Sequence, residues 1–127
     1  CHYNFQIYIN NGKLDLMWQQ RSVDVFLGLP YDIALYGLLL RLLCKNTDYV
    51  AGELIGSFGD CHLYNNHIDQ SKEQLSRDFR ELPNVIINSG IRIYKRKGLK
   101  KLKIPNHKDI KLEGYSPHPP IKAELSI

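Results

Sequence analysis

Apolar and polar residues alternate from the third position of the chain, with Tyr3, Phe5, Ile7 and Ile9 set against Asn4, Gln6, Tyr8 and Asn10. After Asn11-Gly12 the alternation resumes, with Leu14, Leu16 and Trp18 against Lys13, Asp15 and Met17. Period-two patterning on both sides of an Asn-Gly dipeptide predicts two antiparallel strands joined by a type I′ turn, since both central residues of that turn take positive φ. Such a hairpin places Cys1, at the mouth of the first strand, close to Gln20-Arg21-Ser22 at the end of the second.

The pattern then changes. Ile33 to Leu43 is apolar on nearly every face, which predicts a buried central helix over about 30–45 with Pro30 in its first turn. Asp32 falls in the opening turn, where the helix dipole and free N–H groups favour a negative charge, so capping is its simplest structural explanation. Glu53 to Phe58 predicts a short strand ending at Gly59-Asp60, and Asn66 to Arg77 a polar helix. Pro83 to Ile87 predicts another strand, and the basic stretch after it pairs or loops. The tail from Gly114 through Pro117, Pro119 and Pro120 is extended, because proline denies a helix its N–H donors. With no internal repeat and no low-complexity linker, the class predicted is α+β.

Composition narrows the possibilities. At 127 residues and 43% hydrophobic content the chain is one domain or part of one. Cys1, Cys44 and Cys61 form an odd set without CxxC spacing, and the five histidines show no HExxH pattern. Those counts argue against a disulfide framework or a zinc site and favour a reducing, cytoplasmic location. The longest apolar run, Leu29 to Cys44, is 16 residues long and includes Asp32 and Arg41, too short and too charged for a membrane span. No signal peptide or lipidation motif is visible.

The net charge of +4 is unevenly spread. Arg92, Lys95, Arg96, Lys97, Lys100, Lys101 and Lys103 crowd twelve positions without an acid. A solvated loop or edge hairpin explains them most simply. Nucleic-acid contact is a poorer explanation, with Tyr94 the one stacking ring on offer. Attraction of an anionic substrate tail is a third.

Several residues carry potential chemistry. A cysteine can act as a nucleophile when its thiolate is stabilised by nearby cations, although a lone Cys is more often inert core. Arg21-Ser22 pairs a bidentate donor with a hydroxyl, a combination suited to phosphate, with a surface ion pair as the alternative. His62 and Tyr64, two apart on a strand, would face one side and could share a sugar hydroxyl. His62 could equally be a satisfied core histidine.

Four segments occur in one order at one spacing: Cys1-His2, Gln20 to Pro30, Gly59 to His67, and Gly114-Tyr115-Ser116-Pro117-His118-Pro119. In that pattern the chain closely resembles the C-terminal half of the thymidylate synthase family, with only about 89–108 poorly matched. The resemblance implies the thymidylate synthase fold, a mixed twisted sheet packed with helices, of which 1–127 would be the C-terminal portion of a single catalytic domain. It further implies folate-dependent transfer of one carbon to C5 of a pyrimidine deoxynucleotide, dUMP to dTMP, through a covalent adduct of Cys1 at C6. Arg21 would activate Cys1 and, with Gln20 and Ser22, hold the substrate. His62 and Tyr64 would bind the deoxyribose hydroxyl, and His2 would join the polar network near the base. Asp24, Leu27, Gly28, Tyr31 and Ser126 would contact the co-substrate 5,10-methylenetetrahydrofolate, with Leu125-Ser126-Ile127 closing over it. No metal, no membrane and a homodimer of the full-length protein are implied.

Two features depart from the family. Where it usually has Asn in a Pro-Phe-Asn-Ile run, this chain reads Pro30-Tyr31-Asp32-Ile33. An Asn amide both donates and accepts, as uracil O4 and N3–H require, whereas a carboxylate only accepts, which suits the exocyclic amine of cytosine. Asp stands at the matching position in the related deoxycytidylate hydroxymethylases, so dCMP, hydroxymethylated or methylated, is the alternative substrate. The second departure is the absent N-terminal half, with its further phosphate-binding Arg and general-base Glu. The chain alone is therefore expected to be inactive. A start on the nucleophile itself fits an intein or intron boundary as well as partial coverage. A non-enzymatic relic that binds nucleic acid through the basic stretch is the remaining alternative.

Overall fold

The turn at Asn11-Gly12 forms as its sequence demands, with φ of 48° and 78°. It joins β1 (His2–Asn10) to β2 (Lys13–Asp24) in antiparallel register, Ile9 opposite Leu14, Ile7 opposite Leu16 and Phe5 opposite Trp18. The structure is a computed structural model that describes residues 1–126, without the side chains at 93–96, 99 and 102. A bulge at Tyr3 lets His2 pair with Gln20 while Asn4 pairs with Gln19. One extra residue there re-aims the start of the strand toward the end of β2.

From β2 the chain crosses through α1 (Leu29–Cys44) and returns as β3 (Val50–His62), parallel to β2, so the sheet order is β1-β2-β3. A parallel neighbour requires a crossover of this kind, here a helix. β3 is longer than the predicted Glu53 to Phe58 and runs through Gly59-Asp60 instead of stopping there. Gly59 permits this by its missing side chain: a Cβ there would lie 2.6 Å from the carbonyl oxygen of Arg21. The glycine allows close strand approach rather than a break.

The core lies between this sheet and α1. Leu14, Leu16 and Trp18 of β2 pack against Tyr36 and Leu40, with Leu54 and Phe58 of β3 at the margin. Trp18 stacks on Tyr36 with ring centroids 5.0 Å apart and meets Phe58 edge-on at 5.4 Å. Burial of α1 is uneven: Tyr36, Leu40 and Leu42 are buried, while Ile33 and Leu35 are 47% and 58% exposed. The all-round apolar pattern predicted fuller burial. In this chain the sheet packs against the side of the helix that carries Tyr36 and Leu40 and leaves Ile33 and Leu35 outside that contact.

The polar helix is shorter than predicted, a 3₁₀ turn over Asn65–His67 followed by α2 (Ile68–Leu75). The basic stretch pairs with itself. β5 (Arg92–Arg96) and β6 (Leu99–Lys103) follow β4 (Asn84–Ile87) and turn at Lys97-Gly98, where φ is 51° and 78°. Its base is tied to the end of α1 by Asn46 Nδ2, which donates to the Ile91 carbonyl at 3.1 Å. β4 pairs antiparallel with β7 (Ile110–Glu113), beyond which the tail is extended. No described helix is long and apolar enough to cross a membrane.

Candidate active site

The hairpin register brings Cys1 beside Arg21. The backbone N–H of Arg21 donates to the Cys1 carbonyl at 3.0 Å, and both residues are exposed. Ser22, half-buried, follows on β2 opposite Asp60 of β3. A thiol, a guanidinium and a hydroxyl therefore share one end of the sheet.

Beneath them runs a continuous hydrogen-bonded chain. Trp18 Nε1 donates to Gln20 Oε1 at 3.2 Å, which fixes the orientation of that buried amide. Gln20 Nε2 then donates to Asp32 Oδ2 at 2.9 Å and to the Ser22 carbonyl at 3.1 Å. The other carboxylate oxygen of Asp32 lies 3.2 Å from His2 Nε2, and His2 Nδ1 lies 3.2 Å from the Tyr36 hydroxyl. A carboxylate only accepts, so the His2 proton sits on Nε2, and Nδ1 accepts from Tyr36. Burial, and secondarily the Asp32 charge, pushes the Tyr36 hydroxyl above its ordinary pKa, which keeps it a donor. Asp32 thus makes no cap: its side chain is directed into this chain, and the helix begins at Gly28 without a side-chain cap. It can do so because backbone groups already close the first turn, with Asp32 N donating to the Gly28 carbonyl at 3.1 Å.

Asp24 ends β2 and folds the loop after it. One of its oxygens, Oδ1, accepts from the N–H groups of Phe26 and Leu27 at 3.0 and 3.1 Å, and its carbonyl accepts from Gly28 at 3.1 Å. This side-chain turn leaves Oδ2 without a partner among the described residues. Leu27 and Gly28 are half-buried beside it, while Tyr31 is exposed. Leu27 also borders a cavity of about 730 Å³, whose other walls are Asn66, Gln70 and the tail from Ile121 to Glu124. Ser126 Oγ donates to Asn66 Oδ1 at 2.6 Å, which places the end of the tail against the 3₁₀ turn. Ile127, part of the predicted closing segment, lies outside the described residues.

His62 and Tyr64 come together, their rings edge to face at 4.8 Å. His62 closes β3, and Tyr64 continues in extended conformation, so the predicted shared side is realised. His62 Nδ1 lies 3.4 Å from Asp60 Oδ2 without a directed hydrogen bond, an unspent polar atom beside Tyr64.

The sequence-predicted residues thus form two neighbourhoods. Cys1, His2, Gln20, Arg21, Ser22 and Asp32 lie at one end of β1 and β2 and at the start of α1. Asp24, Leu27, His62, Tyr64 and Ser126 gather around the 3₁₀ turn. Sequence reasoning passed over Trp18, Tyr36 and His67, all buried polar-tipped rings at the site. Tyr36 was legible as the residue one turn after Asp32 on the same helix face. His67 ends the Gly59 to His67 segment, but nothing in that segment assigned it a role. It is fully buried between Phe26 and Tyr64, and only its fold neighbours give it a role.

The family model for thymidylate synthase matches residues 1–127. Among solved structures, the thermostable thymidylate synthase A from Bacillus subtilis superposes with a TM-score of 0.81 at 34% sequence identity. The superposition covers 98% of this chain and 42% of that one, so the chain spans less than half the length of this relative. A family match over every residue, and a fold shared at that identity, lead to one conclusion: the chain belongs to the thymidylate synthase family.

Proposed function

We propose that this chain is the part of a thymidylate synthase-type methyltransferase that carries its nucleophile, and that Cys1 attacks C6 of a pyrimidine deoxynucleotide monophosphate. The observation that carries the reading is the placement of Cys1 against Arg21-Ser22, joined through the 3.0 Å backbone bond. Arg21 has no ion pair among the described residues, so it can pair with a phosphate and stabilise the Cys1 thiolate by its charge. Addition of the thiolate forms the S–C6 bond and moves the C5–C6 π electrons toward C5, which becomes the carbon nucleophile. Gln20 and Ser22 align the nucleotide, and His62 with Tyr64 offers hydrogen bonds to its sugar.

The one-carbon unit would come from 5,10-methylenetetrahydrofolate, which supplies an electrophilic methylene when bound. What supports such a ligand is Asp24, whose Oδ2 has no partner among the described residues and lies beside Leu27 and the tail-bordered cavity, as a heterocycle edge rich in N–H groups requires. Gly28, Tyr31 and Ser126 would contact the same ligand. A homodimer, a cytoplasmic location and activity only in company with the rest of the family domain belong to the same proposal.

A second reading concerns the base. Asp32 faces Gln20 and His2 with its two carboxylate oxygens and offers acceptors only, so a pyrimidine edge brought against it would have to supply a donor. That favours the 4-amino group of dCMP over the O4 of dUMP, with a methyl or hydroxymethyl product. The experiment is a covalent trap in a protein that joins this segment to the remainder of the domain. With folate present, 5-fluoro-dUMP or 5-fluoro-dCMP should label Cys1, and labelling by neither removes the proposal. Tritium release from 5-tritiated dCMP supports the second reading; release from the dUMP analogue alone sinks it.

A further inference from the structure

His67 is fully buried, yet one of its ring nitrogens has no partner among the described residues. Its Nε2 lies 2.7 Å from the carbonyl oxygen of Glu124 in the tail. A carbonyl can only accept, so this nitrogen carries the proton and donates. In a neutral ring Nδ1 is then a bare lone pair, and it faces Asp24 Oδ1 at 4.0 Å. Two acceptors confront one another across that gap, which no described donor fills. Phe26 and Tyr64 flank the ring, with centroids at 5.5 and 5.8 Å, and keep its Nδ1 edge turned toward Asp24.

We infer that His67 is a positioning residue that couples the docking of the C-terminal tail to the hydrogen-bonding state of Asp24. With the tail down, Nε2–H is held by Glu124 and Nδ1 stays bare. Asp24 Oδ1 then accepts only from Phe26 and Leu27. When the tail lifts, Nε2 loses its acceptor and the proton is better placed on Nδ1, from which it reaches Asp24 Oδ1 once a small shift of the carboxylate closes the 4.0 Å gap. The ring gains one N–H and loses the other, with exchange through solvent, so its charge does not change. A carboxylate that takes this third donor becomes a weaker acceptor for anything else, so a lifted tail weakens the Asp24 site and a docked tail strengthens it. The tail has a second clasp on the same turn, with Asn66 Nδ2 donating to Glu124 at 3.5 Å and Ser126 donating to Asn66.

The consequence for folate rests on the role proposed for Asp24, but the tautomer does not. The two therefore fail separately: folate binding tests the first and the ring's proton tests the second. Long-range ¹H–¹⁵N spectra of the 127-residue chain distinguish the two His67 tautomers. The intact chain should show Nε2–H. A chain ending at Lys122 should shift toward Nδ1–H, and the Phe26 and Leu27 amide resonances should move with it. A tautomer that ignores removal of the tail overturns the inference. Asn66→Ala with Ser126→Ala loosens the tail at full length and should move the tautomer in the same direction by a smaller amount. His67→Phe keeps the ring packing but has no proton to relocate, so there the Phe26 and Leu27 amides should no longer respond to tail removal. A response as large as in the parent chain would also overturn the coupling.

Discussion

Gln20 donates to Asp32 Oδ2 at 2.9 Å, and it cannot turn its amide over because the indole N–H of Trp18 holds the other end. Position 32 must therefore present an oxygen toward Gln20. Asp and Asn both satisfy this, and they differ only in what they present on the far side. With Asn, the NH₂ group faces His2 Nε2, and the His2 proton moves to Nδ1, where the Tyr36 hydroxyl can accept it. Asp32→Asn is predicted to leave stability within about 1 kcal/mol of the parent. It should shift nucleotide preference from cytosine toward uracil by about 10- to 100-fold, the usual scale for a mismatched buried donor or acceptor. Equilibrium binding of dCMP and dUMP, measured with the rest of the domain present, checks this.

Trp18→Phe keeps much of the stacking on Tyr36 and Phe58 but removes the donor that orients Gln20. The amide oxygen of a buried Gln is then unpaired, and part of the indole volume is left empty. A loss of about 2–4 kcal/mol is expected from the two terms together. Urea unfolding should show a lower midpoint at an unchanged slope.

Gly59→Ala tests the close approach of β3 to β2. The added Cβ would meet the Arg21 carbonyl at 2.6 Å, and a backbone atom in a paired strand has little room to yield. A destabilisation of about 1–3 kcal/mol is expected. Displacement of Arg21 should also slow covalent labelling of Cys1 by the fluorinated nucleotides more than it affects labelling by a small alkylating reagent.

The thiols should react in a fixed order. Cys1 and Cys61 are exposed, whereas Cys44 is half-buried, and burial raises its thiol pKa against a smaller opposing effect of Arg41. Alkylation at neutral pH followed by peptide mapping should find Cys44 modified last. Equal rates at all three would contradict the packing of the α1 C-terminus.

Tyr36 predicts a stability change at alkaline pH. Its folded pKa is raised above the unfolded value of 10.0, so the folded state holds the proton more tightly. That contribution is fully present below pH 10.0 and is lost as pH rises through the folded pKa, because the unfolded chain ionises first. Ultraviolet titration should show one phenol ionising later than the exposed tyrosines, and Tyr36→Phe should abolish that late step.

Legibility in the sequence followed the range of the physics involved. The β1–β2 hairpin was readable because a type I′ turn and period-two alternation are properties of adjacent residues. The helix over Leu29–Cys44 was equally plain. The end of β3 was misread, since Gly59 looks like a break until a neighbouring strand explains the absence of its side chain. The pairing of Cys1 with Arg21-Ser22 followed from the hairpin. Asp32 was readable as an exception to the family pattern, but its capping role was not realised because backbone groups close that helix turn.

The sequence by itself determined the first hairpin, the helix after it, the family and the residue types that can act at the site. Tertiary structure decided which of those residues touch. The chain from Trp18 to Tyr36 through Gln20, Asp32 and His2 closes only when α1 lies on β2, and the inclusion of His67 depends on a tail more than fifty residues away. Hydrogen bonds need donor and acceptor within about 3 Å, and that condition is set by strand register and helix placement rather than by any spacing along the chain.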